Sequence, residues 1–324
     1  MKNLTCLMAA TALTATLASA ALAEKWDMPM AYPATNFHSE NAAAFAACVG
    51  EGTGGELEIV THAGGSLFGG NDIKRAVQTG QAPIGERLLS AHANENPLYG
   101  IDSIPFLATS FDASEKLWAA ASDQLKAVLD ADNLVYIYAV AWPAQGLYMK
   151  KEVNSAADLE GVKFRAYNTA TARIAELAGM APVQIEAAEL SQALATGVVE
   201  SFISSGATGV DSKVWEQLTH FYDVQAWLPR NVVFINKDAW AALDEATQAA
   251  IMTCGEQAAA DGLAEVKELS GGYLETLAEN GMEVSAPSEQ LASELEAFGQ
   301  TMTDEWLATA GEDSKAIIEA YRAN

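Results

Sequence analysis

One stretch limits the possible folds more than any other. The run Leu134-Val-Tyr-Ile-Tyr-Ala-Val-Ala141 contains no charged residue and is rich in β-branched and aromatic side chains. Such a run suits a strand covered on both faces, which requires helices or a second layer around it. Its surroundings agree. Alternating or apolar runs predict strands over 24–30, 57–62, 82–86, 162–166 and 231–236. Apolar positions at helical spacing predict helices over 38–50, 71–79, 113–131, 288–310 and 312–321. Asn71 is read as the cap of the second of these helices. Residues 142–148 are read as a continuation of the long apolar strand. A long helical region follows Asp244, with Gly255, Gly262 and Gly271-Gly272 read as interruptions. Strands that alternate with helices predict an α/β fold with mostly parallel pairing.

The N-terminus reads as an export signal. Lys2 precedes an apolar, small-residue run, and Ala21-Leu-Ala23 is an A-x-A cleavage site, so cleavage is expected after Ala23. No basic stop-transfer run follows, and Cys6 opens the apolar run instead of closing it, which disfavours a lipid anchor. The mature protein is therefore expected to be periplasmic and not inserted in a membrane. The chain carries 18 Lys and Arg against 43 Asp and Glu, a net charge of −25. A surface this acidic repels nucleic acid and anionic membranes. An anion site on it must be built locally. Cys48 and Cys254 remain after cleavage, and a disulfide and two buried thiols are both open.

No catalytic or metal constellation can be assembled. His38, His62, His92 and His220 are scattered, and no His–Cys spacing suits a metal, so no metal and no cofactor is expected. The glycine-rich 63–70 loop fits neither the Walker nor the dinucleotide spacing. Ser204-Ser205-Gly206 lacks the nucleophile-elbow spacing. The pair Glu186 and Glu189 reads as helix-start charge. A secreted hydrolase is a distant alternative. The chemistry centres instead on Arg165, within the strand-like run Val162-Lys-Phe-Arg-Ala166. A guanidinium among apolar neighbours needs an anion, either one of the chain's own acids or a ligand carboxylate.

Several motifs together resemble the extracytoplasmic solute-binding proteins of TRAP (tripartite ATP-independent periplasmic) transporters, across essentially the whole mature chain. They are His62-Ala-Gly-Gly-Ser-Leu-Phe-Gly-Gly70, Asp102-Ser-Ile-Pro-Phe-Leu107, Asp158-Leu-Glu-Gly-Val-Lys-Phe-Arg165 and Glu189-Leu-Ser-Gln-Ala-Leu-Ala-Thr-Gly-Val-Val-Glu200. The resemblance implies two α/β lobes with a ligand cleft between them and one long helix spanning both. The expected division is 24–144 plus 232–262 for lobe I and 145–231 plus 263–324 for lobe II. It further implies a monomer that closes on a small organic acid and hands it to the permease membrane subunits. Delivery to a sensor is the alternative partner.

The resemblance also assigns site residues. Arg165 occupies the position of the Arg that clamps the ligand carboxylate. Glu86 and Arg87 fall in the wall of the first lobe. Gln145, Asn168, Ser204, Ser205, Asn231 and His38 are candidate polar contacts, and Phe37, Phe68, Trp142, Tyr167 and Phe202 candidate aromatic walls. Phe202 and Ile203 stand where many family members are polar. The ligand is therefore expected to be a monocarboxylate with an apolar or aromatic body.

Overall fold

A computed structural model describes residues 23–323. The expected leader therefore lies outside the described residues, apart from Ala23. The strands are β1 (Glu24–Pro29), β2 (Leu57–His62), β3 (Ile84–Leu88), β4 (Leu134–Ala141), β5 (Gln145–Met149), β6 (Lys163–Ala166), β7 (Ala181–Gln184), β8 (Ser201–Ser205), β9 (His220–Tyr222), β10 (Arg230–Asn236) and β11 (Glu283–Ser285). The helices are α1 (Phe37–Gly52), α2 (Ile73–Gln78), α3 (Phe111–Ala131), α4 (Thr169–Leu177), α5 (Leu190–Ala195), α6 (Gly206–Asp211), α7 (Lys237–Ala242), α8 (Glu245–Glu279), α9 (Glu289–Thr309) and α10 (Gly311–Ala323). The α/β class expected from the sequence is the one observed.

The strands form two separate layers. In the first, β1 and β2 pair in parallel, and a bridge between Met30 and Glu86 joins them to the order β3-β10-β4. In the second the order is β11-β9-β5-β8-β6-β7. The expectation of mostly parallel pairing is corrected here. β10 is antiparallel to both β3 and β4, and β5 is antiparallel to both β8 and β9. The antiparallel pairs arise where the chain crosses between layers, because a strand that enters from the other layer arrives against the local direction. The apolar run thus ends at Ala141, and β5 belongs to the second layer instead of continuing β4.

Among the described residues β4 pairs with β10 alone, yet it is covered by α3 and α8. α8 is 35 residues long, about 52 Å at 1.5 Å per residue. It packs on α1 and β4 in the first layer and on α6 and β11 in the second, so it spans both. Gly271-Gly272 do not interrupt it, nor do Gly255 and Gly262. A Cβ at these positions would lie 2.8 Å from Ile137 Cγ2 and 2.7 Å from Val140 Cγ2, so the glycines let the helix lie close on β4. Cys48 on α1 and Cys254 on α8 form a disulfide, which settles the choice the sequence left open. α10 returns to pack on α3. Among the described residues no helix is long and apolar enough to cross a membrane, and no cluster of His, Cys, Asp and Glu could hold a metal.

Candidate ligand-binding site

Where the two layers face each other, Arg165 is held on β6 at 3% exposure. Its Nε donates to the Ile185 carbonyl at 2.9 Å, and its guanidinium lies 4.9 Å from the centre of the Tyr167 ring. Tyr167 is itself fixed. Its hydroxyl accepts from Trp227 Nε1 at 3.1 Å and donates to Gln145 Oε1 at 3.2 Å. Orientation is therefore set from two sides, while no acidic side chain among the described residues lies within ion-pair distance of Arg165. Burial lowers its pKa to about 10, so the group stays charged at neutral pH. A buried cation without a counter-ion is costly, and its two terminal nitrogens are the natural seat of an anion.

Arg165 lines a cavity of about 30 Å³. This is room for a few water molecules, so a larger ligand enters only when the layers part. Tyr32, Trp142, Gln145, Tyr167, Arg87 and Ser204 are among the side chains that line it. Tyr32 and Trp142 meet edge to face at 4.7 Å, and Phe37 backs Trp142 at 5.3 Å. The wall is aromatic, with its rings braced against one another.

Behind Trp142 is a buried polar chain. Trp142 Nε1 donates to Asn231 Oδ1 at 2.8 Å, and Asn231 Nδ2 donates to Glu86 Oε1. Glu86 Oε2 has no partner among the described residues. His38 Nδ1 lies 3.7 Å from Glu86, and burial holds the His38 pKa well below its ordinary value, so the ring is neutral. Burial pushes the Glu86 pKa from 4.5 up to about 7, against the hydrogen bond from Asn231 and the Arg87 charge, which lower it. A carboxyl whose pKa is raised on folding contributes stability that is full below its unfolded pKa and is lost as pH rises through its folded pKa. Glu86→Gln should therefore gain stability relative to the wild type between pH 4.5 and 7 and plateau above. Urea midpoints of both proteins at pH 5 and pH 8 check this. An equal difference at the two pH values contradicts it.

The two layers also touch across the cavity mouth. Glu186, just after β7, accepts from the Asn71 backbone N–H at 3.0 Å and lies 3.8 Å from Arg87 Nη2. Asn36 Nδ2 donates to Asp211 at 2.7 Å, and Asn168 Nδ2 donates to Ser90 Oγ at 3.1 Å. Polar contacts thus join the two layers at Glu186, Asn36 and Asn168.

Of the residues expected from the sequence, Arg87, Trp142, Gln145, Arg165, Tyr167 and Ser204 line the cavity. Glu86, His38, Phe37 and Asn231 stand behind its wall. Four lie elsewhere. Phe202 faces Tyr148 across the β5–β8 pair and stacks on it at 4.3 Å, inside a separate core cluster. Ser205 caps α6 and Asn168 caps α4. Phe68 is half-buried on the loop before α2 and is not part of the lining. Asn71 does not cap α2. Its side-chain oxygen accepts from Arg87 Nη2 at 2.7 Å instead. Sequence reasoning missed Glu186 as a lining residue. Glu186 makes no side-chain cap bond, so its reading as helix-start charge overlooked the seam. The signal available was position: β7 pairs in register with β6, Arg165 opposite Val183, so the residues just beyond β7 emerge beside the Arg165 side chain.

Two α/β layers closed over a braced guanidinium define a receptor for a small anionic solute. The chain belongs to the DctP family, bacterial extracellular solute-binding protein family 7, whose family model matches residues 29–310. A TRAP solute-binding protein specific for pyroglutamate, from an unidentified microbe of a marine metagenome, is 56% identical with a TM-score of 0.92, over 93% of this chain and 99% of that one. DctP6 of Bordetella pertussis, an extracytoplasmic solute receptor binding pyroglutamic acid, is 47% identical with a TM-score of 0.91, over 93% of this chain and 100% of that one. The monocarboxylate 2-oxoacid-binding periplasmic protein all3028 of Nostoc sp. is 24% identical over 310 residues, 92% of this chain and 83% of the relative.

Proposed function

We propose that this chain is the periplasmic solute-binding component of a TRAP transporter and that its ligand is pyroglutamate or a monocarboxylate of similar size. The observation that carries the reading is Arg165, buried, oriented from two sides and without an acid of its own. The ligand carboxylate meets its terminal nitrogens, and the small ring lies against Tyr32 and Trp142. Two relatives at 56% and 47% identity bind pyroglutamate, which supports a compact lactam acid. An aryl or indole acid, the expectation from the sequence, is the weaker reading. Of the aromatics behind that expectation, Phe202 packs on Tyr148 and Phe68 lies off the lining, while Trp142 and Tyr167 line the cavity.

Binding would close lobe I (24–144 plus 232–262) on lobe II (145–231 plus 263–324), with the hinge at the crossings between β4 and β5 and between β9 and β10. The loaded protein would then dock on the permease. Differential scanning fluorimetry with pyroglutamate, indole-3-acetate, glucuronate and succinate tests the reading. Pyroglutamate at a hundred times its Kd should stabilise by about 2.7 kcal/mol, a rise of roughly 4 °C for a chain of this size. A rise with indole-3-acetate or glucuronate alone contradicts it.

A further inference from the structure

We infer that Glu186 restricts this receptor to ligands with one carboxylate, by holding Arg87 as its own partner. The inference rests on the ligand reading above. The cavity presents two guanidiniums, Arg87 from β3 and Arg165 from β6. Two such groups could clamp both ends of a diacid. Here they are not equivalent. Arg87 Nη2 donates to Asn71 Oδ1 at 2.7 Å and lies 3.8 Å from Glu186 Oε2. Arg165 has no acid within ion-pair distance among the described residues.

Glu186 is fixed in this position. Its other oxygen, Oε1, accepts from the Asn71 N–H at 3.0 Å. Gly70 makes the approach possible, since a Cβ there would lie 2.6 Å from Glu186 Oε2 and 2.9 Å from Arg87 Nη1. Glu86, the other acid beside Arg87, is turned behind the wall toward Asn231 and His38. A second ligand carboxylate reaching for Arg87 would therefore meet the Glu186 carboxylate, and like charges at this range repel. Specificity then comes from an obstacle to the wrong ligand as well as from contacts to the right one.

The test is isothermal titration of the wild type, Glu186→Gln and Glu186→Gln/Arg87→Gln with two monoacids, pyroglutamate and 2-oxobutyrate, and two diacids, glutarate and succinate. Pyroglutamate and glutarate have the same number of non-hydrogen atoms, so size does not separate them. The amide in Glu186→Gln keeps an oxygen for the Asn71 N–H, and the Glu186 side chain is 25% exposed, so the variant should fold. The wild type should favour the monoacid, and Glu186→Gln should narrow the monoacid-to-diacid ratio by about tenfold or more through tighter diacid binding. The double variant should lose that gain. An unchanged ratio in Glu186→Gln, or a gain that persists without Arg87, overturns the inference. A wild type that prefers a diacid, or binds none of the four, overturns both the inference and the ligand reading. Binding of 2-oxobutyrate but not pyroglutamate removes pyroglutamate alone and supports the monocarboxylate reading, because the ratio is still read on that monoacid.

Discussion

Arg165→Ala is expected to weaken ligand binding by roughly thirty-fold to several-thousand-fold, the equivalent of about 2–5 kcal/mol for the loss of a buried charge-assisted fork. The ligand-free protein should lose little stability. The side chain makes one hydrogen bond inside the protein, to the Ile185 carbonyl, and one ring contact, to Tyr167. Against those losses, the substitution removes a buried charge with no acid within ion-pair distance among the described residues. Arg165→Lys should not restore affinity, because an ammonium has neither the Nε bond to Ile185 nor the planar fork. Titration calorimetry beside thermal melts of the free proteins separates the two effects. Full binding by Arg165→Ala would make Arg165 a structural residue and remove the basis of the site.

The second large effect is expected from the disulfide. Cys48 and Cys254 are separated by 206 residues, and their bond ties α1 to α8. Closing so long a loop removes much of the freedom of the unfolded chain, and loss of such a bond typically costs about 2–5 kcal/mol. For a chain of about 300 residues that is roughly 3–8 °C in melting temperature. The bond lies outside the cavity lining, so the Cys48→Ser/Cys254→Ser variant should keep its ligand affinity while its urea midpoint falls. Equal midpoints for variant and wild type would contradict this account of the bond.

Much of the fold was legible because single segments carry their own signal. β2 occupies the residues that its apolar pattern predicted, β4 begins where its run begins, and α3, α9 and α10 differ from expectation only at their ends. Pairing direction was not legible. β10 lies between β3 and β4, more than a hundred residues after β3, and nothing local records that it runs antiparallel to both. Gly255 and Gly262 misled for a related reason. Glycine lowers helix propensity, yet here the missing Cβ lets α8 pack closely on β4, and packing outweighs propensity.

The site divides the same way. A charge on a short apolar strand marked Arg165 from the sequence, but only the structure reveals that no acid among the described residues comes within ion-pair distance of it. Glu186 looked like one more charge at a helix start. Its role across from Arg87 depends on the register of β6 with β7 and on the closing of one layer over the other. Phe202 misled because an apolar residue in a binding motif suits a ligand wall and a cross-strand partner equally well, and Tyr148 makes it the latter.

The proposed mode of binding puts the ligand carboxylate on Arg165 at the seam. The most direct measurement is a crystal structure of the protein grown with pyroglutamate. Density for the ligand is expected in the cavity, with its carboxylate about 2.7–2.9 Å from the terminal nitrogens of Arg165 and its ring against Tyr32 and Trp142. A carboxylate turned away from Arg165, or a ligand bound outside this cavity, would contradict it.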